Sequence, residues 1–454
     1  MKVPVAPPHL PTLLGRVAKK RPERLLEIVG AAGGAAPDGR YRHWDTLRHV
    51  PPPKGLSSEE WWLGVKLARL QLYQQLPFTT REGRPFRYAL VAPVHRMLHY
   101  VTKNASGAIR VDEVVTDPGT RDTYLVKSLV EEAITSSQLE GASTTRAAAK
   151  EMLQRGRKPR DRSERMIFNN YRAMEFVGSV GDTPLRSSVV LELHRLLTEG
   201  TLDDPTAAGR LRRPDEDVVV ADSFGVRLHT PPPADMLLGR LESLCAFANS
   251  YREDEQETFL DPVLRAILLH FWLAYDHPFV DGNGRTARAL FYWSLAVQGY
   301  WLAEFISISR VLKKAPARYA EAFLYVETDD DDVTYFLLHQ LRVIERAIRA
   351  LHEYLVIKER ETRETEQLLR GSHLATAAFN NRQLALLGHA LKHQGFSYTF
   401  ASHSRSHRVT YQTARTDLLA LERAGVVERL VRGRTFVFVA PRDLRRRLDG
   451  LGQR

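Results

Sequence analysis

A mainly α-helical fold is what the sequence predicts, with one small β-hairpin before its central motif and another near its C-terminus. Two patterns carry this expectation. Apolar residues recur at helical spacing through most of the chain, as in Leu264, Ile267, Leu268 and Phe271, the period of a helix with a buried face. Runs rich in β-branched residues, flanked by turn formers, are confined to 218–229 and 426–439, and these read as hairpins. An apolar fraction of 43% and a charged fraction of 26% are ordinary for globular protein. At 454 residues the chain is long enough for two to four domains.

The N-terminal region, 1–117, is expected to be an arm and docking region. Its first forty residues are rich in Pro, Gly and Ala and read as a loosely ordered arm. Residues 41–53 read as an extended docking segment. Ser57 and Glu60 have the spacing of a capping box that opens a helix from 58 to 75. Trp44, Trp61 and Trp62 are read as packing residues.

From 118 to 345 the pattern is that of a helical core. Helices are expected at 122–138, 163–177 and 188–199. The first ends in Ser136-Ser-Gln-Leu-Glu140-Gly141, where Gly141 is a helix stop. His194 is read as structural. Val218, Val219 and Val220 on one side of Asp222–Gly225, with Val226 and Leu228 on the other, mark the first hairpin. A helix at 236–250 and another at 261–275 follow.

The chain then reaches His277-Pro-Phe-Val-Asp-Gly-Asn-Gly-Arg-Thr-Ala-Arg288, a loop feeding a further helix. Each part suits polyphosphate chemistry. Gly282 and Gly284 can take backbone angles closed to other residues, so several N–H groups can converge on one concavity. The helix start adds its own unpaired N–H groups and the positive end of its dipole. Arg285 and Arg288 can hold successive phosphates with forked donors. Asp281 is a hard oxygen ligand for Mg2+. His277 is the nearby group whose unperturbed pKa suits a general base at neutral pH. Taken singly, each residue reads as part of a capped turn between two helices; it is the ordered combination that points to chemistry.

This stretch resembles the signature of Fic proteins, H-x-F-x-D/E-G-N-G-R-x-x-R, at every fixed position. The resemblance implies a protein adenylyltransferase that moves AMP from Mg2+-bound ATP to a Ser, Thr or Tyr hydroxyl of a target protein. Gly284 stands where the related Doc kinases carry lysine, which favours AMP transfer. The resemblance further implies that Asn283 and Arg285 hold the α- and β-phosphates and Arg288 the γ-phosphate. It makes the 218–228 hairpin a flap that docks the target's backbone by strand addition. Ser136-x-x-x-Glu140-Gly141 is similar to the family's inhibitory motif, in which the glutamate pairs with the second motif arginine, here Arg288. Two other readings stay open: removal of AMP, with Glu140 orienting water, and a DNA-binding regulator whose core senses nucleotide. Arg318-Tyr319 departs from the family's Tyr-Tyr pair, which leaves the nucleoside contacts open.

Asp329–Asp332 is read as capping a long helix from 333 to 369, with 346–372 as a helical linker. From 373 to 454, three helices and a basic-tipped hairpin resemble a winged helix-turn-helix. Residues 380–454 carry 14 Lys+Arg against 5 Asp+Glu, a net +9 of the chain's +11, which suits an anionic partner. Gln412, Thr413 and Arg415 are then expected at a major groove, and Arg432 and Arg434 at phosphates; such modules also bind proteins, and both partners stay open, as does self-association. A single cysteine excludes an internal disulfide. The absence of a signal-peptide pattern and of any run near ~18 apolar residues predicts a cytoplasmic protein without membrane contact.

Overall fold

The computed structural model describes residues 2–105, 118–181, 183–216, 218–221, 224–252, 259–300, 305–369, 379–393, 396–432 and 435–451. Helix accounts for 62% of it, and the sheets are two hairpins and one three-stranded antiparallel sheet. Among the described residues no helix is long and apolar enough to cross a membrane.

The N-terminal forty residues depart from the expected loose arm. They form α1 (Leu10–Lys20) and α2 (Arg24–Ala31), followed by α3 (Trp44–Leu47) and α4 (Ser58–Leu70). The capping box at Ser57 and Glu60 forms as read. Trp44, Trp61 and Trp62 pack with Leu13, Ile28 and Leu47 in a small core of their own. At Gly64 a Cβ would lie 2.6 Å from the Ala32 side chain, so the missing side chain is what lets α2 cross α4 closely. Helix α4 stops at Leu70, short of the expected 75, because β1 (Tyr73–Thr79) pairs with β2 (Pro85–Ala89). Its Gln-rich start hid that strand; Leu76 and Phe78 face the core.

Ion pairs buried on both sides bind this region to the rest. Lys66 Nζ lies 2.7 Å from Asp329, each side chain 1% exposed. Arg69 donates to the Tyr335 hydroxyl at 2.7 Å and to the Arg42 carbonyl at 2.8 Å. Tyr41 and Tyr73 both donate to Asp332, at 2.6 and 2.8 Å. Asp332 also caps the next helix by accepting from Thr334 N at 3.0 Å. The acidic run is thus a cap, as expected, and also a clamp, which its local sequence did not reveal.

The main core follows α5 (Ala92–Ala105) and is made by α6 (Pro118–Leu139), α7 (Arg146–Arg155), α8 (Arg162–Val180) and α9 (Ser187–Thr198). After the hairpin β3 (Val220–Ala221) and β4 (Arg227–His229) come α10 (Leu237–Asn249), α11 (Pro262–Asp276) and α12 (Asn283–Val297). Helices α13 (Ile308–Leu312), α14 (Pro316–Thr328) and α15 (Thr334–Leu369) close it. Helix α11 is buried along nearly its whole length, and α12 packs beside it with Leu290, Phe291 and Trp293 enclosed. The hairpin is shorter than read: Val220 and Leu228 lie in the ladder, while Val218, Val219 and Val226 lie outside it.

The C-terminal part has α16 (Asn381–Lys392), β5 (Ser397–Tyr398), α17 (Phe400–His407) and α18 (Tyr411–Arg423). Strands β6 (Glu428–Arg432) and β7 (Thr435–Val439) and helix α19 (Leu444–Leu451) complete it. Strand order β5-β7-β6 adds a strand to the expected hairpin. Asp417 gathers this module by accepting from Arg382 at 2.7 Å and Asn380 at 2.8 Å, with His403 at 3.1 Å. The module rests on the main core through Arg405, whose Nη1 donates to the Gln154 carbonyl at 2.9 Å.

Removing Lys66 takes from the buried Asp329 carboxylate its nearest cation and leaves it Arg69 at 3.8 Å and the Tyr335 hydroxyl at 2.6 Å; breaking a buried pair typically costs ~3–5 kcal/mol, and the remaining partners place this case toward the lower end. Lys66→Ala is therefore expected to lower the free energy of urea unfolding by that order. Lys66→Met combined with Asp329→Asn, which removes both charges, should cost clearly less than the sum of the single changes.

Candidate active site

The site forms where α11 ends and α12 begins. His277 is the residue that terminates α11, in a left-handed conformation with φ of 44°. Residues other than glycine adopt this at a cost of ~1–2 kcal/mol, so the surroundings must hold it. Its carbonyl accepts from Arg212 Nε at 3.0 Å. Its ring Nδ1 lies 3.3 Å from the Ala274 carbonyl. A carbonyl only accepts, so that nitrogen carries the hydrogen and Nε2 keeps its lone pair. Burial, above all, pushes the His277 imidazole down to about 4 from its usual 6.5; it is therefore neutral at pH 7, as a base must be.

Gly282 caps α12 at φ of 85°, and a Cβ there would lie 2.7 Å from Thr198 Cγ2. Helix α12 starts at Asn283, inside the motif, so the first-turn N–H groups that lack helical partners belong to motif residues. The Asn283 side chain braces the loop: it donates to the Phe279 carbonyl at 2.8 Å and accepts from the Phe279 N–H at 2.9 Å. It is 2% exposed. One amide hydrogen is thus given to the Phe279 carbonyl, which leaves the second amide hydrogen and the backbone N–H as the donors Asn283 could offer a phosphate. Asp281 accepts from the Gly282 N–H at 2.5 Å and from Arg285 Nη2 at 3.3 Å. Its side chain is 44% exposed, so the carboxylate remains open to solvent. Mg2+ sites on phosphates commonly use one or two carboxylates and keep several waters, and a lone open Asp fits that pattern.

Both motif arginines are buried, each 1% exposed. Arg285 donates to the Leu197 carbonyl at 3.0 Å, and among the described residues its Nε has no hydrogen-bond partner. Arg288 donates from Nε to Ser136 Oγ at 3.0 Å and from Nη2 to the Ser136 carbonyl at 3.2 Å. Its Nη2 also meets Glu140 Oε1 at 2.8 Å, while Nη1 makes no hydrogen bond of good geometry among the described residues. Burial is the largest influence and opposes the Arg288 charge, but Glu140, Tyr319 and Glu132 together outweigh it, so the guanidinium holds its proton more tightly than usual. Gly284 sits against this pair: a Cβ there would lie 2.2 Å from Glu140 Oε1 and 3.0 Å from Arg288 Nη1. Buried donors without partners beside a glycine-lined helix start are what an anion would complete.

The sequence reading missed several residues that set this geometry. Glu132 lies one turn before Ser136 on α6 and accepts from Ser307 Oγ at 2.7 Å and from Ser309 Oγ at 2.5 Å. The i, i+4, i+8 spacing of Glu132, Ser136 and Glu140 was the signal available. His194, read as structural, is so: Nε2 lies 2.9 Å from the Asp281 carbonyl, Nδ1 accepts from Gly209 N, and the ring stacks on Phe279 at 3.7 Å. Tyr319 meets His270 Nε2 at 2.8 Å, whereas Arg318 is exposed. In the C-terminal module Gln412 and Arg415 are exposed on α18 and Thr413 is half-buried. Arg432 ends β6, and Arg434 lies outside the described residues.

The helices and loop that make this site define a Fic-like segment: residues 184–295 match the Fic/DOC family model. Among named relatives, protein adenylyltransferase fic-1 of Caenorhabditis elegans is 35% identical over 101 residues, 22% of this chain and 17% of that protein. Protein adenylyltransferase Fic of Drosophila mojavensis is 38% identical over 114 residues, 24% and 19% respectively. The chain thus spans about a fifth or less of these relatives' own length. In structure, the chain is similar to a Fic family protein from Desulfovibrio desulfuricans G20, with a TM-score of 0.48 and 16% identity over 80% of this chain and 99% of that one. It is similar also to a fragment of Fic-1 from C. elegans, with a TM-score of 0.47 and 18% identity over 78% and 90%. The family match begins after Glu140, so the α6 contact with Arg288 stands on this structure's own geometry.

The lowered proton affinity of His277 can be read directly. In an NMR titration its ring protons, assigned by comparison with His277→Gln, should move with a midpoint near 4 rather than the usual ~6.5. A midpoint at 6.5 would show that burial does not control this ring.

Proposed function

We propose that the protein is a protein adenylyltransferase that moves AMP from ATP to a Ser, Thr or Tyr hydroxyl of a target protein, and that Glu140 restrains it. The observation that carries this is Arg288: a buried guanidinium beside the start of α12, held by Glu140 through Nη2 and by Ser136 through Nε. The adenylyltransferase names of the relatives over the site-forming segment support the choice of AMP.

In this mechanism His277 Nε2 takes the proton of the target hydroxyl. The hydroxyl oxygen forms a bond to the α-phosphorus, the bond from that phosphorus to the β-bridging oxygen breaks, and pyrophosphate leaves. Arg285, Arg288 and the first N–H groups of α12 hold the phosphates, so most of the rate enhancement comes from positioning and charge neutralisation. Mg2+ would be held by Asp281 and would supply neutralisation of the phosphate charge. The β3–β4 hairpin docks the target backbone. Glu140 occupies the Arg288 donor that the γ-phosphate requires and adds negative charge where the triphosphate must lie. Self-modification with labelled ATP tests this. Wild type should label weakly and Glu140→Gly strongly. Adding His277→Ala should reduce the signal ~10²–10⁴-fold, and adding Arg288→Ala should cripple it. Equal labelling of wild type and Glu140→Gly would remove the restraint. A wild type that strips AMP from a modified protein, and loses this with Glu140→Gly, would reverse the direction of the reaction.

For the rest of the chain we propose a core at 118–345, a helical linker at 346–372 and a winged helix at 373–454. Helices α16, α17 and α18 with the three-stranded sheet, together with exposed Gln412 and Arg415 on α18, support duplex DNA as its partner. Binding of the full chain to duplex DNA should weaken steeply with salt. Arg415→Glu should weaken it further. Absence of affinity at low salt would point to a protein partner instead.

A further inference from the structure

Among the described residues the β3–β4 hairpin has two residues in one strand and three in the other, paired as Val220 with His229 and Ala221 with Arg227. So short a ladder cannot hold its own position, since even longer isolated hairpins are marginal in water. Its tip carries Phe224, 85% exposed. The hairpin must therefore be fixed from its root, and the root is where β4 ends. His229 Nε2 donates to the Tyr275 carbonyl at 2.7 Å, and its Nδ1 lies 2.8 Å from Glu327 on α14. Three residues further on, the Pro232 carbonyl accepts from Arg212 Nη2. The same Arg212 donates from Nε to the His277 carbonyl at 3.0 Å, and its backbone N–H donates to the Pro278 carbonyl at 2.9 Å. Root residues 229–232 are thereby tied to backbone on both sides of His277: Tyr275 before it, His277 and Pro278 at and after it.

We propose that Arg212 and His229 are positioning residues that lock the hairpin and the His277 loop into one unit, so that a segment docked on the hairpin brings its hydroxyl to a set register against the imidazole. This rests on the reading of His277 as base and of the hairpin as docking strand. Two separate needs meet in these contacts. His277 has a left-handed backbone that persists only where its neighbours over-determine it, and Arg212 grips its carbonyl. The hairpin needs an anchor, and the same guanidinium supplies one. Neither residue bonds to Arg285, Arg288 or the α12 start among the contacts described, so nucleotide binding and hydroxyl placement are separable.

The test uses the full-length chain carrying Glu140→Gly, with labelled ATP and self-modification as the readout. Arg212→Gln and His229→Ala should each slow single-turnover labelling at saturating ATP by roughly 10–100-fold, the order that misplacement of reacting groups costs. ATP affinity should stay within about twofold on the same argument. His229→Gln, which keeps a donor for the Tyr275 carbonyl, should restore much of the rate. Amide hydrogen exchange should accelerate at 220–221 and 227–230 in the slowed variants. The pH profile adds a second reading: after burial, Arg212 is among the groups that push His277 down, so Arg212→Gln should move the acid limb of labelling upward. Unchanged labelling and exchange would overturn the proposal. So would parallel loss of ATP affinity and thermal stability, which would make these residues general supports of the fold. Undiminished labelling by Glu140→Gly with His277→Ala would instead sink the reading of His277 on which the proposal rests.

Discussion

Two guanidinium groups buried on one helix set the terms for this structure. Arg285 and Arg288 lie on α12 at 1% exposure, and a buried cation without hydrogen-bond partners is costly enough to unfold a domain of ordinary stability. Their partners come from far along the chain: the Leu197 carbonyl at the end of α9, and Ser136 and Glu140 at the end of α6. Meeting this demand brings α6 and α9 around α12 with their C-terminal ends, where carbonyls are unpaired and the dipole favours cations. The need is only partly met, since one nitrogen of each guanidinium makes no hydrogen bond of good geometry among the described residues. That residual demand is a property of the folded protein, and it is what makes the site receptive to an anion.

The loop between α11 and α12 shows how little freedom the site retains. His277 ends one helix in a left-handed turn, and Gly282 caps the next in another. Between them Asn283 closes a pair of hydrogen bonds with Phe279, and His194 holds the Asp281 carbonyl while stacking on the Phe279 ring. The base is held by carbonyl contacts on both its backbone and its ring. Such a loop can be preorganised because its strain is opposed from several directions at once.

Beyond the site, two modules attach to the helical core by different means. The N-terminal helices are joined through buried ion pairs and tyrosine hydroxyls on the acidic turn before α15. Asp330 and Asp331, both at positive φ, shape that turn so that Asp329 and Asp332 point into the interface. The C-terminal module touches the core at the α7 end through Arg405. Gly156 at that end leaves room for the Arg405 guanidinium, which would lie 2.2 Å from a Cβ.

What the sequence determined by itself was local. The helical period marked most helices to within a few residues, because one apolar face every three or four positions needs no knowledge of its partner. The capping box at Ser57 and the stop at Gly141 were legible for the same reason: they are satisfied within a few residues. The motif was legible as a combination of residue types, and its resemblance supplied candidate roles. Tertiary structure decided whatever depends on a distant partner. Residues 10–31 looked too Pro- and Gly-rich on either side to fold alone, yet they fold because Trp61 and Trp62 give them a surface to cover. Strand β1 was lost behind a helical pattern until β2 paired with it. The bracing of Phe279 by the Asn283 side chain appears only in the fold. Arg212 and His229 could not be singled out in sequence at all, because their importance lies in carbonyls 20 to 65 residues away. Carbonyl groups are present at every residue, and only the fold selects which one a side chain meets.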